Sequence, residues 1–307
     1  MTATRRRTFP LVPRRPLAGT VFGTQRSLRR GPGSDIAGTR PYRPGDRLSS
    51  IDWFASARLS AASGGDEFVV RQTYAEDAPR IVVVLDRRPS MALYDDALPF
   101  LSKPRAVREI VAAVVSSARA ARAEIGWLEA PADGITWLPP RNTLPAPFVE
   151  RRLAAPADGG DDSLARAVDH LTRHPTEAPQ GTFVFVVSDF LAPPPPSVWR
   201  AMVGRGVDVV PVAVRDPVWE TSFPDVAGVL LPFAGPDGRD GGGVRLSRGE
   251  VADRRAANER RAARLAEDLR RAGLDLVAVD SADPVAVDAA FAAWAARRRL
   301  LRRRGGR

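Results

Sequence analysis

The sequence has no cysteine, two histidines and a single lysine. Without thiols there can be no disulfide, no thiolate nucleophile and no Cys-ligated zinc or iron–sulfur site, and an oxidising compartment gains no support. The one lysine, Lys103, is followed by Pro104, which excludes the GKS or GKT ending of a Walker phosphate loop. A dinucleotide loop needs three spaced glycines; Gly31 and Gly33 begin the spacing, Ile36 breaks it, and no strand leads in. No G-x-S-x-G elbow occurs. His170 and His174 stand i, i+4, a spacing that could hold a metal on one helix face. No glutamate lies between them, however, and Arg173 and Pro175 flank the second, so they are read as a helix C-terminus whose dipole favours cationic side chains. Neither has an obvious serine partner for a Ser-His-Asp hydrolase. No uncharged apolar run approaches the roughly 18–20 residues that span a bilayer. The start, MTATRRRTFPLVPRRP, lacks the apolar core of a secretory signal. The sequence therefore predicts a cytoplasmic protein with no transmembrane segment.

What remains is a globular composition: 307 residues, 44% apolar and 27% charged. The net charge of +10 is unevenly spread. Residues 1–15 carry five arginines and residues 297–307 carry seven, with no acid in either run; with those twelve set aside the balance becomes −2. The body is near neutral and the basic character sits in two tails, read as a disordered arm over 1–16 and an Arg-rich tail over 297–307. Arg, Ala, Gly and Pro share G+C-rich codons, so part of the arginine bias is attributable to the genome.

Residues 17–79 are rich in Gly, Arg, Ser and turns, with aromatic punctuation at Phe22, Tyr42, Trp53, Phe54, Phe68 and Tyr74. Arg43–Asp46 (RPGD) reads as a tight turn, since Pro presets φ and Gly tolerates positive φ. Glu67–Tyr74 reads as a strand. A segment this poor in aliphatics needs a neighbour's core, so Trp53 is expected to be buried. From Arg80 strands alternate with helices. Ile81–Leu85 (IVVVL) and Phe183–Val187 (FVFVV) are unbroken apolar runs, as expected for strands buried on both faces. Val107, Ile110, Val111, Val114 and Ala118 recur at helical spacing, as do Leu164, Val168 and Leu171. Val207–Val214 reads as a strand whose Pro211 suggests an edge or a bulge. Ser247 and Glu250 have capping-box spacing at the head of a long helix. Repeated strand–helix units argue for an α/β fold over 80–296: a doubly wound, mostly parallel sheet with helices on both faces.

Both fully apolar strands run into an aspartate, Asp86 after the first and Asp189, through Ser188, after the second. Ligands of open α/β sheets bind beyond the carboxyl ends of strands. If the two strands are neighbours, the carboxylates converge in one crevice, where Ser90 could add a hydroxyl and hard oxygens would suit Mg²⁺. The bland alternative is a pair of helix caps or turn formers.

The pattern resembles a von Willebrand factor A-like domain, whose metal-ion-dependent adhesion site is D-x-S-x-S, then a Thr, then an Asp. The preceding segment closely resembles the bacterial domain-of-unknown-function family number fifty-eight. Its hallmarks stand here as Pro44-Gly45-Asp46, Ile51-Asp52-Trp53, Ser56-Ala57-Arg58, and Val70-Arg71 with Glu76. The resemblance implies a strand order 3-2-1-4-5-6, a β-rich N-terminal segment over 17–79 packed on the sheet, and frequent pairing with MoxR-type AAA+ ATPases. Many members carry two transmembrane helices ahead of this region, which are not expected here. Asp86, Ser90 and Asp189 match the metal pattern, and Asp162 falls loosely at the Thr position. The middle Ser is Arg88, a cation that disfavours Mg²⁺, so the site is read as degenerate and no cofactor is expected. Arg88 is instead expected to act as a built-in counter-ion.

These readings predict a non-catalytic protein-interaction module, an adaptor of a MoxR-type AAA+ ATPase, with Asp86, Arg88, Ser90 and Asp189 as its interaction surface. Two alternatives stay open. One is nucleic-acid or acidic-membrane binding through the Arg-rich tails, where the near-neutral body argues against a specific nucleic-acid fold. The other is a metal-dependent hydrolase using Asp86 and Asp189.

Overall fold

A computed structural model describes residues 8–14, 36–65, 67–73, 78–93, 101–234 and 240–305. Tyr74, Glu76 and residues 235–239 lie outside these residues. The chain divides into two compact units, 15–79 and a larger one formed by 1–14 together with 80–307.

In the smaller unit β1 (Ile36–Pro41) pairs antiparallel with β2 (Val69–Thr73), and α1 (Trp53–Ser63) lies between them in sequence. Among its described residues this unit is therefore mixed rather than β-rich. Asp52 caps α1 by accepting from the Ala55 amide, and Gly64, at φ 73°, ends it in the left-handed conformation. Ser56 is the buried residue of that helix, and its Oγ accepts from the Val69 amide at 2.9 Å. In the RPGD turn Arg40 grips Asp46 through two bonds of 2.7 and 2.6 Å while the Arg43 amide donates to the same carboxylate. Trp53 is 60% exposed, against the expectation of burial; it packs edge-on against Phe68. Ile51, Val69 and Val70 are buried in its place.

The larger unit carries β3 (Arg80–Leu85), α2 (Lys103–Ala120), β4 (Glu124–Glu129), β5 (Thr136–Arg141), α3 (Ala146–Ala154), α4 (Ser163–Arg173), β6 (Phe183–Ser188), α5 (Pro196–Gly204), β7 (Asp208–Val214), β8 (Leu230–Ala234), β9 (Asp240–Arg245), α6 (Arg248–Arg271), β10 (Val277–Val279) and α7 (Pro284–Gly305). Six strands form one sheet in the order β10-β7-β6-β3-β4-β5, parallel except for β5, which pairs antiparallel with β4. β8 and β9 form a separate hairpin. The capping box of Ser247 and Glu250 is present at the head of α6.

The alternation within β6 shows how the sheet is covered. Val184 and Val186 join a cluster with Leu164, Val168, Leu171, Trp199, Met202, Leu265 and Leu269, which belong to α4, α5 and α6. Phe185 faces the other way, against Phe291 and Trp294 of α7. Every residue of β6 is buried, which is why its sequence shows no polar alternation. β7 is an interior strand, yet β10 pairs only with Val212–Val214, so Pro211 lies where the β10 side of β7 has no partner strand. The edge signal in the sequence is true locally, and false for the strand as a whole.

The two tails depart from their sequence reading. Phe9, Leu11 and Val12 are buried, and Phe9 stacks on Phe291 with ring centroids 4.5 Å apart. Residues 8–14 are thus a docked segment rather than a disordered arm. At the other end α7 runs on to Gly305, and Arg298, although drawn from the Arg-rich run, is 1% exposed. It binds Asp208 at 2.8 Å, Asp275 at 2.9 Å and the Val12 carbonyl at 3.0 Å, and lies over the Trp294 ring.

Candidate functional site

β3 and β6 are hydrogen-bonded neighbours, and their carboxyl ends place Asp86 and Asp189 side by side. The Asp86 amide still donates to Val187, so this aspartate is held by the sheet itself. Its side chain then meets the next turn of chain. The Arg88 amide donates to Asp86 Oδ1 at 3.0 Å, while Arg88 Nε and Nη2 donate to Oδ2 at 2.9 and 2.7 Å. The same Nη2 reaches Asp189 Oδ1 at 2.8 Å. One guanidinium therefore bridges both strand-end carboxylates, using the planar fork that suits paired carboxylate oxygens. Ser188 Oγ donates to Asp86 Oδ2 at 2.7 Å and accepts from the Phe190 amide at 2.8 Å.

The network continues beyond what the sequence reading named. Lys103, at the start of α2, donates to Asp189 Oδ2 at 3.0 Å and to Glu220 Oε1 at 2.6 Å. Glu220 also accepts from the Asp216 amide, and Asp216 accepts from the amides of Leu101, Val218 and Trp219. Arg215 Nε donates to the Asp189 carbonyl at 2.8 Å. Asp86, Arg88, Lys103, Asp189, Arg215, Asp216 and Glu220 are all buried, so four carboxylates and three cations share one network inside the protein. The Lys103–Glu220 link was missed because the two stand far apart in sequence. The available signal was compositional: a chain that otherwise uses arginine keeps one lysine, at the head of an apolar helix.

Burial pushes the Asp189 carboxyl up, but Lys103, the Leu191 amide, Ser90 and Arg88 outweigh it and hold it below the ordinary carboxylate range. Ser90 Oγ is buried and makes no hydrogen bond of ordinary geometry; it contributes through proximity. For Arg88, burial works against the charge, but Asp86, Asp189 and Asp161 prevail and keep the guanidinium protonated. For Glu220, burial dominates the opposing influence of Lys103, and its pKa is raised.

Two sequence assignments are corrected by this geometry. Asp162 stands apart from the cluster: its side chain is 68% exposed and pairs with Arg166 one turn on. The carboxylate felt by Arg88 is that of Asp161, and the hydroxyl nearest the expected threonine position is that of Ser163, which accepts from the Arg87 amide and donates to the Ala130 carbonyl. Gly159 lets that loop close in, since a Cβ there would lie 2.8 Å from the Ala130 carbonyl. Second, Asp86, Arg88 and Asp189 are at most 4% exposed, so they form the floor of the crevice and cannot themselves be the surface a partner touches. Arg87, between Asp86 and Arg88, turns away from the crevice, binding the carbonyls of Arg152, Ala155 and Pro156 and lying beside Glu129.

The donor set does not fit Mg²⁺. That ion demands near-octahedral oxygen at roughly 2.0–2.1 Å. Here Asp86 Oδ2 and both Asp189 oxygens already accept from Arg88, Lys103, Ser188 and the Leu191 amide, and two fixed positive charges occupy the space between the carboxylates. Arg88 bridges the two carboxylates instead.

The motif residues of the smaller unit are held differently. Pro44-Gly45-Asp46 form the turn gripped by Arg40, with Gly45 at φ 102°, and Asp52 caps α1. Trp53, Arg58 and Arg71 are exposed.

Together these features define a protein built on a six-stranded, mostly parallel α/β sheet whose strand-end crevice is closed by internal salt bridges. Comparison with known sequences makes the assignment more specific. The chain belongs to the family described as "Protein of unknown function DUF58", which it matches over residues 38–291. It is 30% identical over 237 residues to the uncharacterized proteins Rv1480 of Mycobacterium tuberculosis and Mb1516 of Mycobacterium bovis, covering 74% of this chain and 69% of theirs. Among solved structures it is similar to the conserved hypothetical protein BatB from Bacteroides thetaiotaomicron, with 17% identity, a TM-score of 0.40, and coverage of 71% of this chain and 100% of that one. It is also similar to an aerotolerance-related membrane protein from Bacteroides fragilis, with 15% identity, a TM-score of 0.39, and coverage of 70% and 98%. Among the described residues no helix is long and apolar enough to cross a membrane.

Proposed function

We propose that this protein is a non-catalytic interaction module, built on a von Willebrand factor A-like domain with a degenerate adhesion site, that serves as an adaptor of a MoxR-type AAA+ ATPase. One observation carries the reading. The crevice where such domains place a metal is filled by Arg88 and Lys103, so Asp86 and Asp189 are engaged in buried ion pairs rather than left open to a metal or a substrate. A hydrolase using these carboxylates would have to break buried ion pairs first. The adjacency of β3 and β6 and the family motifs support the same domain type.

The partner would meet the rim above this floor, where Asp161, Asp162, Ala192, Pro193 and Val218 are exposed. Affinity capture of the full chain with a MoxR-type ATPase tests this. Wild type should retain the ATPase and a folded Asp161→Arg/Val218→Arg variant should lose it. Absence of binding by wild type, in both nucleotide states of the ATPase, would overturn the reading.

A second reading rests on the termini. Phe9 on Phe291 and the Val12 carbonyl on Arg298 bring the segment following the N-terminal arginines against the helix that carries the C-terminal ones. Leu300 and Leu301, 61% and 59% exposed, lie among those arginines, a combination suited to an acidic lipid surface. Co-sedimentation with anionic vesicles should fall steeply with salt if this surface is used, and should be absent with neutral vesicles.

A further inference from the structure

The two histidines of the chain do more than end a helix. α4 finishes at Arg173, and His174 follows with its amide donating to the His170 carbonyl at 3.0 Å. His174 Nδ1 contacts the same carbonyl at 2.9 Å, which a ring nitrogen can only do as a donor. That contact makes Nδ1 the protonated nitrogen and leaves the Nε2 lone pair available, the arrangement by which metal-binding imidazoles are commonly oriented. The next turn brings the chain back, with the Glu177 amide donating to the His174 carbonyl, and sets the Glu177 carboxylate 2.7 Å from His170 Nε2. The two imidazole rings lie 4.4 Å apart. One ligand atom from each of His170, His174 and Glu177 falls within 4.8 Å of the others. The glutamate that the sequence spacing lacked between the histidines is thus supplied three residues after the second.

An ion pair between His170 and Glu177 is the plainer account of this corner. The geometry fits it poorly: His170 Nε2 and Glu177 Oε2 are both buried, face each other at 2.7 Å, and make no hydrogen bond of acceptable angle. With the His170 proton on Nδ1, Nε2 and the carboxylate offer two lone pairs to a shared cation. The arginines nearby are committed elsewhere, Arg173 to Asp169 and Arg205 to the carbonyls of Leu171 and Thr172. We propose that His170 Nε2, His174 Nε2 and the Glu177 carboxylate form a site for a divalent transition metal of the zinc class, with a fourth position open to water or to a ligand from a partner. Two imidazoles and one carboxylate are the donors such ions accept, at about 2.0–2.2 Å in a tetrahedral arrangement. Tetrahedral ligand atoms at those bond lengths stand roughly 3.3 Å apart, so on binding an ion the 2.7 Å pair opens while the wider separations, all within 4.8 Å, draw in. The site lies at the C-terminal end of α4 and is distinct from the Asp86–Arg88–Asp189 crevice.

Calorimetric titration of the full chain with Zn²⁺ tests the proposal, joined by visible absorption with Co²⁺, whose d–d bands report a four-coordinate site. Wild type should bind one ion. Each of His170→Gln, His174→Ala and Glu177→Gln should weaken binding by about tenfold or more, since even an outer-shell partner is worth about that. Asp169→Asn, beside the site but outside the ligand set, should bind as wild type does. His174 is exposed, so its variant should fold normally and keeps the test valid if His170→Gln does not. Trp137, whose ring is 6.1 Å from that of His170, gives a second readout: Cu²⁺ should quench its fluorescence in wild type and not in Trp137→Phe. No stoichiometric binding by wild type, or unchanged affinity in His174→Ala, would overturn the assignment.

Discussion

Two helices of this chain, α1 and α2, are both rich in small and apolar residues, α1 the more so, and have opposite fates. α2 buries Lys103, Ala106, Val107, Ile110, Val111, Ala113, Val114, Ser117 and Ala118 along one side. α1 buries Ser56, while Trp53, Phe54 and Leu59 are exposed. The larger unit is held by core packing and internal charge, and its helices are amphipathic for that reason. The smaller unit is held by directed polar contacts: a cap, a bidentate Arg–Asp turn, and a serine that ties helix to strand. Of its described motif residues Ile51 and Val70 are buried apolar anchors and the others serve those contacts or lie near the surface, so its identity is legible as a pattern and its large aromatics are not core.

The contrast is broken most severely by attacking the buried charges. Removing one member of a buried ion pair leaves an uncompensated charge and costs about 3–5 kcal/mol. Lys103→Met should lose that much in urea denaturation, because Asp189 and Glu220 would be left facing each other. Arg88→Ser should cost a similar amount, and Mg²⁺ should restore part of its thermal stability while leaving wild type unaffected. A loss below about 1 kcal/mol in both variants, the range of surface ion pairs, would mean that the crevice is solvated rather than closed. Acid should act through Asp189 in one direction. Its carboxyl is lowered in the fold, so its contribution is present above the ordinary aspartate range and is lost as pH falls through its depressed value. Glu220, with a raised pKa, acts oppositely: the stability it adds on protonation is present at low pH and is lost as pH rises through that value.

Phe9→Ala comes next, at about 3 kcal/mol, because it empties a pocket shared by Phe185, Phe291 and Trp294. The same residue shows where sequence reading fails. Alternation and apolar runs revealed β3, β6, α2 and α4, and the two strand-end aspartates followed from them, because burial on both faces leaves a local mark. The docking of residues 8–14 leaves none: five arginines in fifteen residues look solvated, and the anchors are one Phe, one Leu and one Val in a proline-rich run. The Lys103–Glu220 bond and the turn that returns Glu177 to His170 are likewise products of tertiary geometry. Arg88 was legible because it stands two residues from Asp86, within reach of its own strand end. Trp53 was misread because an aromatic in a core-poor segment was assumed to seek a core.

In the smaller unit the effects should be modest and local. Asp52→Ala removes the α1 cap and should cost about 1 kcal/mol of that helix. Hydrogen exchange should show faster opening over 53–63 with β3 and β6 unchanged. If β3 and β6 exchange faster as well, the two units unfold together and the contrast fails.

The finest test is the titration of Asp46. Its carboxylate accepts from Arg40 through two bonds and from the Arg43 amide, and these contacts hold its pKa at about 2, against an ordinary value of 3.8. The pair lies at the surface with both side chains partly exposed, so solvent screens it and the global stability at stake is small. The sign is nevertheless defined. A depressed pKa means that the contribution is fully present above 3.8 and fades as pH falls toward about 2. Carbon-detected NMR should therefore find Asp46 still ionised at a pH where other exposed aspartates are half protonated. Arg40→Gln should return its titration toward 3.8 without moving the unfolding midpoint of the larger unit. An Asp46 that titrates normally in wild type would show that the RPGD turn is held by its Pro and Gly alone. In that case directed polar contacts would not be what organises the smaller unit.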